Sequence, residues 1–107
     1  MAYGELNRIQ DAIRVFKEAL NANPNSAESH FGLGIAYQRS VADERAEKEF
    51  LRVIELDPSH VDARLYLSIL YADRGELQKA CVHLRKILEI DPGNRNAREF
   101  LERIERE

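Results

Sequence analysis

The feature that most restricts how this chain can fold is a period of 34 residues. Pro24, Pro58 and Pro92, the only prolines, stand 34 apart in both intervals. Each closes a similar phrase: Ala22-Asn23-Pro24, Leu56-Asp57-Pro58 and Ile90-Asp91-Pro92. The same offset relates Tyr3, Tyr37 and Tyr71; Ala12, Ala46 and Ala80; Phe16, Phe50 and Leu84; Leu20, Ile54 and Leu88; and Leu33, Leu67 and Leu101. A fixed period of this size marks a repeat architecture, in which each copy is one supersecondary unit that cannot bury its apolar face alone.

Inside each period the apolar residues recur at helical spacing. Ile9, Ala12, Ile13, Phe16, Ala19 and Leu20 follow the i, i+3, i+4, i+7 rule, and Leu77, Ala80, Cys81, Leu84, Ile87 and Leu88 repeat it. The other half of the period does likewise, with Leu33, Ala36 and Tyr37, then Leu67, Leu70 and Tyr71. Each copy therefore reads as two helices of about 14 residues, ~20 Å long at ~1.5 Å per residue. Asn25 with Glu28, and Ser59 with Asp62, stand at capping-box spacing and predict helix starts. Gly75 supplies a left-handed residue to end one helix before the next begins. The prolines fall just past helix ends, where they cost no internal hydrogen bond.

A helix–turn–helix of 34 residues with this pattern resembles the tetratricopeptide repeat (TPR). The central copy reads His30-x2-Leu33-Gly34-x2-Tyr37, Ala46-x3-Phe50, Pro58; the next reads Arg64-x2-Leu67-Ser68-x2-Tyr71, Ala80-x3-Leu84, Pro92. The family's W-x2-L-G-x2-Y…A-x3-F…P pattern is met except that His30 and Arg64 replace its aromatic, Ser68 its glycine and Leu84 its phenylalanine. The resemblance implies an all-α fold, a right-handed α-solenoid of antiparallel helix pairs. Along the chain it places a partial repeat at 1–24, repeats at 25–58 and 59–92, and a capping helix at 93–107, together one TPR domain.

The two ends differ. The first copy starts at Tyr3, so its first helix is expected to be a stub around Tyr3 and Leu6, followed by a second helix from about Arg8 to Ala22. The full apolar stripe of that second helix needs a neighbour: further repeats upstream, or another chain. At the other end Phe100, Leu101 and Ile104 are expected to face back onto the third copy. Glu102 and Glu105 sit there where Gly34 and Tyr37 sit in the second, giving the polar outer face of a cap. One turn stands out. Val41 occupies the position of Gly75, and a β-branched residue resists the left-handed conformation by over ~1 kcal/mol. No Gly or Pro occurs from Ile35 to Asp57. The turn at Ser40–Arg45 is thus either reshaped within an ordinary repeat, or able to open into one long helix that exchanges between two chains.

Residues for catalysis or metal binding do not assemble into any known pattern. His30, His60 and His83 are scattered, and Cys81-x-His83 has i, i+2 spacing, which points the side chains apart on a helix. Ser59-His60-x-Asp62 has the residue types of a triad but lies at a helix start, where capping accounts for Ser59 and Asp62. The lone cysteine excludes an internal disulfide framework and any cysteine-rich zinc site. A net charge of −3 gives no basic surface for nucleic acid or anionic lipid. Arg95, Arg98, Arg103 and Arg106 alternate with acids as solvated ion pairs do. No apolar run approaches the ~20 residues that span a bilayer, and Met1–Glu5 does not read as a signal segment. A cytoplasmic, non-enzymatic protein without cofactor or metal is expected.

What such a chain offers is the concave surface of its stacked pairs, which in TPR proteins is lined by the first helix of each repeat. The resemblance places Glu28, Phe31, Ile35, Gln38 and Arg39 there in the second copy, and Asp62, Leu65, Tyr66, Ile69 and Asp73 in the third. Some TPR domains clamp the acidic C-terminal tails of chaperones through Lys, Asn and Arg; the matching positions here are Gly32, Asp62 and Tyr66, which do not form that clamp. An apolar or amphipathic segment of a protein partner suits the groove better. The alternatives are a self-associating module and a targeting or regulatory segment of a larger enzyme.

Overall fold

The computed structural model describes residues 3–106, with side chains from Asn7 onward. The expected packing of Tyr3 and Leu6 therefore lies outside the described side chains, as does Glu107. Six helices follow one another: α1 (Tyr3–Ala22), α2 (Ala27–Arg39), α3 (Asp43–Leu56), α4 (Val61–Asp73), α5 (Leu77–Ile90) and α6 (Arg95–Arg106). Among the described residues there is no strand. They form two compact units, one ending at Pro58 and one beginning at Ser59.

The first helix corrects an expectation. The stub and the helix from Arg8 are one uninterrupted helix of 20 residues. Asn7 is the counterpart of Val41 and Gly75, which are both left-handed, with φ of 61° and 79°. In the first copy this position stays helical, because nothing in Tyr3–Ala22 breaks a helix: it holds no proline, and its one glycine lies in the first turn.

Helix starts are corrected by one residue. Ser26, not Asn25, caps α2, its Oγ accepting the Ser29 N–H at 3.2 Å. His60, not Ser59, caps α4, its Nδ1 accepting the Ala63 N–H at 3.0 Å. Asn94 Oδ1 accepts the Ala97 N–H at 2.9 Å ahead of α6. Positions 26, 60 and 94 are 34 apart, so one site of the repeat does this work with three different side chains. Asn25 instead accepts from Arg52 through its Oδ1.

Both turns between paired helices are closed by the same pair of backbone bonds. Val41 N–H donates to the Gln38 carbonyl and Ala42 N–H to that of Tyr37; Gly75 and Glu76 repeat this with Ala72 and Tyr71. That is a Schellman closure, which wants glycine at its left-handed residue. The second copy holds valine there with its side chain 80% exposed, and the turn is closed, not merged into a rod.

In the first unit α2 lies between α1 and α3, and two glycines set its closeness to each. A Cβ on Gly32 would lie 2.3 Å from the Phe16 ring, and one on Gly34 would lie 2.7 Å from that of Phe50. Leu33, Ala36 and Tyr37 of α2 are buried with Ala46, Phe50 and Val53 of α3 and Ile9 and Ile13 of α1. Much of the α1 stripe is thus covered by α2 alone. Full burial of a ring such as Phe50 contributes about 2–3 kcal/mol.

In the second unit Leu84, Ile87 and Ala97 form a sealed cluster, with Val61, Leu65, Leu88, Phe100, Leu101 and Ile104 packed around it. The expected inward face of α6 is present. Ser68 stands where the second copy has Gly34, and the ring it would meet is replaced by Leu84. Its hydroxyl, fully buried, donates to the Arg64 carbonyl at 2.9 Å and reaches that of Ala80 at 3.4 Å. The smaller leucine leaves space that the serine fills and satisfies.

Candidate functional site: a groove on the first helix pair

The antiparallel run of α1 and α2 brings two faces together into an open groove of about 670 Å³. From α1 come Arg8, Ile9, Ala12 and Phe16; from α2 come Gly32, Ile35, Ala36 and Arg39. Spacings of i, i+4, i+8 on one helix and i, i+3, i+4, i+7 on the other place each set on a single face. The floor is apolar. Arg8 and Arg39 stand together at one end, where the start of α1 passes the end of α2, and neither pairs with any described residue.

Of the residues expected on the binding face, Ile35 and Arg39 lie in this groove. Glu28 is exposed on α2 outside it, and Gln38 is half-buried. Phe31 is half-buried and turns inward, its ring 5.8 Å from that of Phe50 and tilted by 55°. In the second unit Asp62 and Asp73 are exposed on α4, and Tyr66 and Ile69 are half-buried. Leu65 packs on the Leu84–Ile87–Ala97 cluster. Phe31 and Leu65 therefore serve packing as well as surface. Arg8, Ile9, Ala12, Phe16, Gly32 and Ala36 were absent from the expected set. Their signal was the α1 stripe, whose need for a neighbour was legible while its place in a groove was not.

The histidines outside the groove have structural partners. His30 Nδ1 lies 2.7 Å from Glu49 Oε1, and Nε2 lies 2.8 Å from the Pro24 carbonyl. One period later the same two positions are Arg64 and His83, with the Arg64 guanidinium donating to His83 Nδ1 at 3.2 Å. At the next recurrence Arg98 donates to the Pro92 carbonyl at 2.7 Å. The His83 ring stacks on Tyr71, centroids 5.7 Å apart, while Arg74 and Lys79 approach the same tyrosine ring. Burial first, and the neighbouring Arg64 charge second, push the His83 imidazole below its usual range. Cys81 is a buried free thiol, matching Ile13 in the repeat. Among the described residues no three His, Cys, Asp or Glu side chains are placed to share a metal ion. No described helix is long and apolar enough to cross a membrane.

Paired helices on a fixed period, capped at one recurring position and closed by one recurring turn, define an α-helical repeat protein of the kind that serves as an interaction scaffold. Two models of that class match the sequence, one described as "TPR repeat" over residues 2–41 and one as "Tetratricopeptide repeat" over residues 44–95. The chain belongs to the tetratricopeptide repeat family. Solved structures agree on the fold. The first TPR of Spaghetti (RPAP3), bound to the HSP90 peptide SRMEEVD, superposes with a TM-score of 0.85 at 21% identity over 97% of this chain and 82% of that one. MamA gives 0.85 at 27% identity, covering 95% of this chain and 60% of its own. YrrB, described as a TPR protein with an unusual peptide-binding site, gives 0.80 at 26% identity over 92% and 50%. The chain thus spans little more than half the length of those last two. No curated protein sequence matches it.

Proposed function

We propose that residues 1–107 act as one non-catalytic, cytoplasmic interaction domain whose α1–α2 groove takes an apolar or amphipathic segment of a protein partner. The observation that carries this reading is the apolar groove in which Ala12, Phe16 and Ile35 stand half-buried over the buried Ile9 and Ala36, flanked by two arginines without partners among the described residues. A pocket of that size and lining suits side chains of a peptide. Among similar structures one is bound to a peptide of HSP90 and one has an unusual peptide-binding site, which supports peptide recognition as the activity. The acidic-tail variety of it fits poorly, since Asp62 is exposed at a position of the clamp and repels a carboxylate. Glu28, exposed on α2, sets charge preference beside the groove; in the second unit Tyr66 and Ile69 of α4 offer apolar surface of their own, with Asp62 and Asp73 exposed on the same helix. Phe31 and Leu65 contribute less than their sequence positions imply, because both also pack inward.

Selection of a displayed random-peptide library against the protein tests this. Enriched peptides are expected to carry apolar residues at i, i+3 and i+4 and to lose binding to Ile35→Asp. Peptides that bind Ile35→Asp as well as they bind the parent would place the site elsewhere.

A second reading, self-association by helix exchange, is favoured by one observation: the strained left-handed Val41 between α2 and α3. A dilution series followed by light scattering decides it, a strict monomer at the highest concentration removing the exchanged form.

A further inference from the structure

His30 and His83 sit in matching places of the two units and make opposite demands on a proton. In the first unit the His30 ring, on α2, lies between two acceptors. Glu49 Oε1 of α3 is 2.7 Å from its Nδ1, and the Pro24 carbonyl ahead of α2 is 2.8 Å from its Nε2. A neutral imidazole has one N–H and serves one of them; the imidazolium has two and serves both. The His30 and Glu49 side chains are 13% and 18% exposed, so facing lone pairs there are costly. The ring keeps the proton, because a carboxyl is the stronger acid by about two units. Among the described residues no other charged group is bonded to this ring, from α1 or from α3, where Arg52 is taken up by Asn25 and Glu55.

The repeat marks the His30 position as one for a cation. Its later counterparts are Arg64 and Arg98, and Arg98 donates to the carbonyl of Pro92, the counterpart of Pro24. In the second unit the histidine has changed sides. His83 stands where Glu49 stands in the first, and its Nδ1 accepts from the Arg64 guanidinium at 3.2 Å. Arginine stays charged and has only donors, so this nitrogen must keep its lone pair. Positive charge surrounds the ring further: Arg74 and Lys79 approach the face of Tyr71, on which His83 stacks. Glu89 of α5 acts on Arg64, and α6 bonds no charged group to the His83 ring among the described residues. Burial and the Arg64 charge push this imidazole below its usual range. His60, the cap of α4, also accepts at its Nδ1.

We propose that the two units carry proton-operated ties of opposite sign: a proton on His30 completes the Pro24–His30–Glu49 tie of the first, and a proton on His83 breaks the Arg64–His83 tie of the second. The windows are set by the ordinary histidine value of ~6.5. The folded first unit holds its proton more tightly than the unfolded chain does, so that stability is present below ~6.5 and is lost as pH rises above it. The folded second unit holds its proton less tightly, so stability is lost as pH falls below ~6.5.

Ring ¹⁵N shifts of the intact chain, assigned with His30→Gln, His60→Gln and His83→Gln, read each proton directly. At pH 7.0 more than half of His30 is expected to carry both ring hydrogens, against about a quarter for a free histidine. At pH 6.0 less than a quarter of His83 is expected to carry both, against about three quarters for a free histidine. Urea unfolding then reads the linkage. From pH 8.0 to 6.5 the folding equilibrium constant is expected to rise at least about threefold, within the tenfold per pH unit that one linked proton allows. His30→Arg, the residue of the later copies, should keep the tie to Glu49 and remove that rise, and Glu49→Gln should flatten it. From pH 6.5 to 5.5 the constant should fall, less so in His83→Gln, where His60 alone still loses its acceptor. A His30 ring with one bare nitrogen at pH 7.0, or a His83 ring charged like a free histidine at pH 6.0, overturns the proposal. So does a rise above pH 6.5 that His30→Arg leaves intact.

Discussion

Replacing Val41 by glycine should make the protein more stable, against the usual rule that shortening a hydrophobic side chain does harm. Val41 sits at φ 61° in a closed Schellman turn. A left-handed conformation costs an L-residue roughly 1–2 kcal/mol, and a branched Cβ puts valine at the upper end of that range. The side chain is 80% exposed, so removing it forfeits only about 0.5 kcal/mol of burial. Glycine's extra freedom in the unfolded chain takes back ~0.5–1 kcal/mol. The balance is a gain of about 0.5–1 kcal/mol, a rise in Tm of roughly 2–6 °C for a domain this size. The companion turn runs the experiment in reverse. A Cβ on Gly75 would meet nothing within 4 Å, so Gly75→Val isolates the backbone cost and should lower Tm by a comparable amount. Thermal melts followed at 222 nm read both. A Val41→Gly protein that melts at or below the parent temperature refutes the strain reasoning, the more so if Gly75→Val is neutral.

Three further outcomes are expected. Gly34→Ala drives a methyl group to 2.7 Å from the buried Phe50 ring and should cost ~1–3 kcal/mol in urea unfolding; adding Phe50→Leu, the residue the third copy uses, should recover part of that loss, and a double-mutant cycle measures the coupling. Phe50→Ala, which empties a fully buried site, should cost about 3–5 kcal/mol by the same unfolding assay. Burial and the Arg64 charge lower the His83 pKa in the fold, so as pH falls the unfolded state takes up the proton first and stability declines; melts between pH 6.5 and 5.5 should show this decline, shallower in His83→Gln.

The period of 34 made the helix pairs, their order and the inward face of α6 legible, because burial needs apolar residues at helical spacing and the spacing is visible without coordinates. Local competition was not visible. Asn25 and Ser26 are both good caps, and histidine at position 60 is a weak one by type; only the shared offset of Ser26, His60 and Asn94 picks the position out. The fate of Asn7 was hidden for a related reason: asparagine tolerates both helical and left-handed backbone, and here the helix continues through it. Ile35 and Arg39 were found because they lie on the outward face of α2. Ala12 and Phe16 belong to the α1 stripe that the sequence marks as needing a neighbour, and their counterparts Ala46 and Phe50 are fully buried. What distinguishes them among the described residues is their half-burial, a property of three-dimensional packing that no pattern within α1 records.

The central proposal is that the open α1–α2 groove takes a segment of a protein partner. Titrating the ¹⁵N-labelled chain with a peptide enriched from the displayed library, and following backbone amide shifts, tests it most directly. Saturating changes confined to Ile9, Ala12, Gly32, Ile35, Ala36 and their near neighbours are the predicted result; changes centred on α5 and α6, or none at peptide excess, would contradict it.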